Sequence, residues 1–359
     1  MSTTVSSVLE PPFVLDSQGM AARIRAIPEQ IDDALAACAA APWRVPDWSP
    51  EVLAVGALGG SAIAADLTGS LWSDSLPHPL LCVREYQWPA WAGPATLAVL
   101  CSYSGNTEET LALYDGAGAR GMPRVAMTTG GTLAERCARD HVPHAILPAG
   151  SPPRAALYAS WVRLTYLVHA LGWIADPGPE WREASGLITR RREQWAPEVP
   201  EAQNPAKQLA RRLHGKFLFL YAGSDRLGPV TTRVRNQINE NAKLLAHSAV
   251  VPELNHNEVV GWENPLDLES RSAVVMLRDA EDPDLVALRL SLTAEYVRQQ
   301  GAEVVVLEEE EGSRLARIVS LVVLGDYLSL YLAMLNAVDP TPIASIDWFK
   351  HRLAESKNA

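Results

Sequence analysis

Only four cysteines occur in the chain, at positions 38, 82, 101 and 137, and no two stand at the close spacing of a zinc or redox motif. A disulfide framework and a cysteine metal site are thereby excluded. The thiols are expected to be reduced and mostly buried, as in a cytosolic protein. Basic tracts are missing too. There are 31 Lys and Arg against 42 Asp and Glu, a formal net charge of -11. The one short basic cluster, residues 190–192, reads as a solvated helix end. Such a chain is expected to bind neither nucleic acid nor a membrane surface. No apolar run reaches the roughly 18 residues of a bilayer-spanning helix. The first residues, M-S-T-T-V-S-S-V-L-E, carry neither a basic nor an apolar leader region, so a cytoplasmic location is expected. What is plentiful is apolar surface. Hydrophobic residues make up 48% of 359, enough to core one large or two medium domains.

The apolar runs are short and separated by turn residues. Residues 52–55, 79–84, 95–100, 124–128 and 145–147 read as strands, with helices over 106–118 and from the T-G-G-T turn through 139. A further helical pattern covers 153–171. Residues 174–205, rich in charge, Pro and Trp and ending in A-P-E-V-P-E-A-Q-N-P, read as a helix and linker. The scheme then repeats: strands at 216–222, 272–277 and 303–307, helices at 229–246, 283–300 and 314–338. Strands alternating with helices predict an α/β protein of parallel sheets covered on both faces. The repetition predicts two copies of one unit, over 1–173 and 206–359, joined by 174–205.

Chemistry concentrates in a few strings. C-S-Y-S-G-N-T-E-E-T-L, residues 101–111, places Ser102, Ser104 and Thr107 around a glycine between a strand and a helix N-terminus. Hydroxyls, backbone N–H groups and the helix dipole there suit an anion, and with neither Lys nor Arg in the loop a small phosphorylated metabolite fits best. The earlier G-A-L-G-G-S turn, with Gly60 and Ser61, fails the dinucleotide spacing G-x-G-x-x-G. In one sheet the two turns would share a crevice at the carboxyl ends of the strands. The second copy offers R-D-A-E instead, residues 278–281, whose carboxylates would repel phosphate. Arg154 follows a Pro pair at a helix start, where a cation is unhelpful unless an anion is near or a carboxylate pairs with it. N-Q-I-N-E-N-A-K, residues 236–243, puts Glu240 on a helix, either as a functional carboxylate or in a solvated pair with Lys243. P-E-L-N-H-N-E, residues 252–258, offers His256 as a proton shuttle or as a plain loop histidine. Lys350 near the C-terminus reads, taken alone, as solvent-facing.

These strings, with P-R-A-A-L, D-Y-L-S-L-Y-L-A and D-P-T-P-I-A-S-I-D-W-F-K, run in one order from Gly56 to Lys350. In that order the chain resembles the bifunctional phosphoglucose/phosphomannose isomerases, built from two sugar-isomerase (SIS) domains. The serine-rich loop marks the wider superfamily. The Glu240 and His256 motifs, sixteen positions apart, are the more specific. The resemblance implies a three-layer αβα fold in each domain. It implies aldose–ketose isomerisation of glucose or mannose 6-phosphate to fructose 6-phosphate, with no metal or other cofactor. Gly60, Ser61, Ser102, Ser104 and Thr107 would cradle the phosphate and sugar. Glu240 would be the base, Arg154 the group that stabilises the enediolate, and His256 the ring opener, delivered across a homodimer interface. Lys350 would partner His256 at the ring oxygen. A ketol-isomerase acting on another sugar phosphate and a non-catalytic sugar-phosphate sensor are the competing expectations. A sensor has no need of the Glu240, His256 and Lys350 set, and the acidic N-terminal region offers no basic recognition helix.

Overall fold

The computed structural model describes residues 8–45, 48–224, 226–263 and 271–357. Most of the opening segment searched for a leader lies outside them. Helices α1 (Met20–Arg25) and α2 (Ile27–Ala40) lead into β1 (Val52–Gly56), α3 (Gly59–Leu71), β2 (Leu80–Val83), β3 (Thr96–Cys101), α4 (Glu108–Ala119), β4 (Arg124–Thr128), α5 (Gly131–Arg139) and β5 (His144–Ile146). α6 (Leu157–Ala170), α7 (Gly178–Trp195) and α8 (Pro205–Leu213) follow. Then come β6 (Phe217–Gly223), α9 (Gly228–Ala242), β7 (Ala246–Val251), β8 (Ser272–Asp279), α10 (Asp284–Gln299), β9 (Glu303–Glu309), α11 (Arg314–Leu335) and α12 (Ala344–Lys357).

Two parallel sheets result, ordered β2-β1-β3-β4-β5 and β7-β6-β8-β9. The first four positions match, so the repetition in sequence is a repetition in topology. β3 is buried along its whole length and β8 over all but one residue, as strands covered on both faces must be. The first sheet changes winding direction between β1 and β3, and its crevice opens at their carboxyl ends.

Two elements depart from the sequence reading. The helix expected over 229–246 stops at Ala242, because Lys243 turns left-handed at φ 52° and the Asn239 side chain accepts the Ala246 N–H. Residues 246–251 then form β7, an edge strand whose polar His247 and Ser248 hid its pattern. Within 174–205 the expected helix is α7, which packs against α2 and α11 and buries Trp181, Ala184, Ser185 and Ile188, a stripe at helical spacing, with Trp181 donating to Thr165 of α6. α11 is long and apolar enough by composition to cross a membrane, yet 89% of its most apolar stretch is buried inside the protein. It packs on α7, α8 and α9 as the central core helix.

Candidate active site

The serine-rich turn leaves β3 and doubles back before α4. Ser102 Oγ and Thr107 Oγ1 lie 2.8 Å apart, and Ser102 Oγ also accepts the Gly105 N–H at 3.1 Å. Ser104 Oγ accepts the Asn106 N–H at 3.2 Å. Thr107 holds the N-cap position of α4 without a side-chain cap, its hydroxyl turned to Ser102 instead. The neighbouring loop braces the turn: Tyr103 O accepts the Thr129 N–H and hydroxyl at 3.0 and 2.8 Å.

α3 opens beside this turn. Ser61 Oγ accepts the Tyr103 N–H at 3.3 Å. Gly60 faces the tight turn Pro153–Ala155, where an added Cβ would lie 3.0 Å from the Pro153 carbonyl oxygen and 3.1 Å from Arg154 N. Tyr103 also reaches that segment, its hydroxyl accepting the Ser151 N–H at 3.0 Å. The two turns of the first copy and the Arg154 turn therefore form one continuous wall.

Arg154 is only 3% exposed. Its Nε donates to Asn241 Oδ1 at 2.7 Å, and its Nη2 donates to the Pro340 and Thr341 carbonyls at 2.7 and 2.8 Å. Its Nη1 lies 3.5 Å from Glu240 Oε2, at the end of α9. The Glu240 side chain is 29% exposed, so a fixed, buried cation stands behind a carboxylate that solvent can reach. Burial lowers the Arg154 pKa from its ordinary value, and the Glu240 charge acts against that fall. The alternative of a Glu240–Lys243 side-chain pair is not what forms. Lys243 Nζ donates to the Glu240 and Pro340 carbonyls at 2.7 and 3.2 Å, closing the helix end. Partial burial and the nearby Arg154 charge depress the Lys243 pKa. Asn241, Lys243 and the Pro340–Thr341 carbonyls escaped the sequence reading. Asn241 and Lys243 lie inside the Glu240 string, which was the available signal.

His256 and Lys350 stand elsewhere in the chain. α9 runs back from the carboxyl end of β6, leaving Glu240 near the start of β7, whereas His256 follows the finish of β7 on the turn Glu253–His256. A six-residue strand separates them by roughly 20 Å. His256 is exposed. Lys350 lies on α12, exposed beside Ile346, Trp348, Phe349 and Leu353. One chain thus gathers Gly60, Ser61, Ser102, Ser104, Thr107, Arg154 and Glu240, leaves His256 beyond the far end of β7, and carries Lys350 exposed on the helix that follows the Pro340–Thr341 segment.

The corresponding end of the second sheet is lined by paired charges from both copies. Glu281 pairs with Arg314 and Arg317 at 2.8 Å each, and Asp74 of the first copy pairs with Arg314 at 3.0 Å and Arg226 at 3.6 Å. The arginines hold the Glu281 carboxyl down at about 2. A groove of 640 Å³ also lies toward this end, between the second half of α3 and the start of α9, and takes in none of the gathered residues. Among the described residues no group of three His, Cys, Asp or Glu side chains could hold a metal ion.

Known proteins carry the same arrangement of sequence and fold. Residues 202–353 match the family model described as the bacterial phospho-glucose isomerase C-terminal SIS domain. A bifunctional phosphoglucose/phosphomannose isomerase of Caldicellulosiruptor bescii is 40% identical over 84% of this chain and 89% of its own. One of Aquifex aeolicus is 31% identical over 82% and 88%. The C-terminal domain of glucosamine-fructose-6-phosphate aminotransferase from Francisella tularensis superposes with a TM-score of 0.70 over 90% of this chain and 98% of that one, at 15% identity, a likeness of fold alone. With two paired sheets, one open crevice and relatives this close along most of their length, the chain belongs to the bifunctional phosphoglucose/phosphomannose isomerase family.

Proposed function

We propose that the chain interconverts glucose 6-phosphate, mannose 6-phosphate and fructose 6-phosphate through a cis-enediol. The observation that carries this reading is the approach of Glu240 to the buried Arg154 guanidinium on the wall shared with the serine-lined turn. The phosphate binds among the Ser61, Ser102, Ser104 and Thr107 donors and orients the open-chain sugar. Glu240 removes the C2 proton of the aldose and returns it to C1, giving the ketose. Negative charge on the enediolate oxygens is met by Arg154, which cannot turn away because three acceptors fix it. The two aldoses differ only at C2 and give one enediol. Accepting both requires rotation about C2–C3 so that either C2 proton faces Glu240.

The substrate arrives as a closed ring, and His256 and Lys350 are the proposed openers. The separation of His256 from Glu240 within one chain, along the length of β7, is the reason to place His256 in the crevice of a second copy. The exposed Trp348, Phe349 and Leu353 of α12 supply apolar surface for such a pairing. The homodimer, the sugar phosphate as its small-molecule partner and a cytoplasmic location belong to the same proposal.

The test is a coupled assay of fructose 6-phosphate formed from each aldose, with chelator present and glucosamine 6-phosphate as a further substrate. Turnover of both aldoses is expected. Turnover of glucose 6-phosphate alone removes the phosphomannose half, and turnover of the amino sugar alone moves the chain to another reaction. Glu240→Gln should bind fructose 6-phosphate and lose kcat by about three orders of magnitude or more. Retained kcat in that variant removes Glu240 as the base.

A further inference from the structure

The turn that carries Arg154 is tied at both ends to a single turn of α11. At the side-chain end Arg154 Nε meets Asn241, whose Nδ2 donates to Ser329 Oγ at 2.9 Å, and Ser329 Oγ donates to the Asp326 carbonyl at 2.8 Å. At the main-chain end the Arg154 carbonyl accepts from Arg233 Nη2 at 2.7 Å. The same nitrogen donates to Asp326 Oδ1 at 2.9 Å, and Gln237 Nε2 donates to that oxygen at 2.7 Å. Arg233, Gln237, Asn241, Asp326 and Ser329 are all at most 3% exposed. α9 and α11 approach closely enough for this because residue 325 is glycine: a Cβ there would lie 2.4 Å from Val234 Cγ2.

A buried Arg–Asp pair is no efficient way to stabilise a core, since apolar residues of like volume do as well or better. Nor does the chemistry proposed above use Arg233, Gln237, Asp326 or Ser329. Their common product is geometric. They fix the carbonyl and the guanidinium of Arg154 at once, and so set where Nη1 stands against Glu240. We infer that Arg233, oriented by Asp326, is a positioning residue that holds the Arg154 turn and aims its guanidinium at the reacting oxygens. The inference rests on the isomerase reading and adds a residue that acts only through Arg154.

Arg233→Lys tests it. Lysine keeps the charge beside Asp326 but is shorter, so an ammonium drawn to that carboxylate falls short of the Arg154 carbonyl that Arg233 Nη2 also reaches. The expected result is a kcat lower by about 10- to 100-fold and a KM for fructose 6-phosphate within about threefold of the parent, in a protein that is still folded by circular dichroism at the assay temperature. Asp326→Asn, which retains the Oδ1 acceptor, should keep most of the parental kcat. In an Arg154→Ala background, Arg233→Lys should cost nothing more, because the two changes remove one function. Parental kcat in folded Arg233→Lys, or the same fold-loss with and without Arg154, overturns the inference alone. If Arg233→Lys does not fold, Gln237→Met replaces it, removing one neutral bond to Asp326. A several-fold kcat loss that vanishes without Arg154 then supports the inference, and an unchanged kcat overturns it. Absence of sugar phosphate turnover in the parent, or parental kcat in Arg154→Ala, overturns the isomerase role of Arg154 and the inference with it.

Discussion

At Gly105 the backbone runs at φ +71°, and an added Cβ would lie 1.9 Å from the Gly130 carbonyl oxygen. No side chain fits there without moving the loop after β4. Gly105→Ala should therefore destabilise the protein by about 1–3 kcal/mol and weaken fructose 6-phosphate binding at least tenfold, with thermal melting and ligand titration as the two readouts. This turn was legible in the sequence for a physical reason. Its bonds run between near neighbours, Ser102 with Gly105 and Thr107 and Ser104 with Asn106, so the serines, the glycine and the helix start appear as one string. Arg154 was legible by its position after a Pro pair at the start of a helix. Arg233 and Asp326 were not, because the bonds that join them to Arg154 span distant segments and leave no spacing to read.

Among the elements, α9 and β7 show how a boundary escapes detection. Lys243 is a good helix former, and only its contacts to the Glu240 and Pro340 carbonyls, made in a left-handed turn, reveal the stop. The edge position of β7 lets it carry polar residues where a central strand cannot. α12 poses the opposite case, a helix whose existence is plain and whose Trp348 and Phe349 rings meet each other edge to face while both stand largely exposed. Trp348 and Phe349 are 58% and 61% exposed, and α12 makes no substantial contact with the other described elements. If it pairs two copies, Trp348→Ser with Phe349→Ser should shift the protein from dimer to monomer by light scattering and lower the activity with it. A dimer that survives both changes places the pairing surface elsewhere.

At the scale of the whole molecule, the duplicated topology sets two α/β units so that α3 of one packs on α9 of the other. This contact brings Glu240, from the second copy, to Arg154 and the serine-lined turn of the first. The duplication was readable from alternating strands and helices; the way the copies meet was not, because helix packing leaves no signal beyond an apolar face. The same arrangement puts His256 at the far end of the second sheet. If the dimer brings it to a neighbour's crevice, mixing Glu240→Gln with His256→Ala chains should restore activity that neither shows alone. One crevice of each mixed dimer then has both groups intact. Continued inactivity after subunit exchange is verified would place His256 outside the reaction.

Glu281 and Asp74 occupy the cationic mouth of the second crevice as a tethered substitute for a ligand. Two halves of like topology therefore leave one crevice without such a filling. On the proposed function, one sugar phosphate per polypeptide is the expected stoichiometry at saturation, with the second half serving as scaffold that lends Glu240 and a brace to the first.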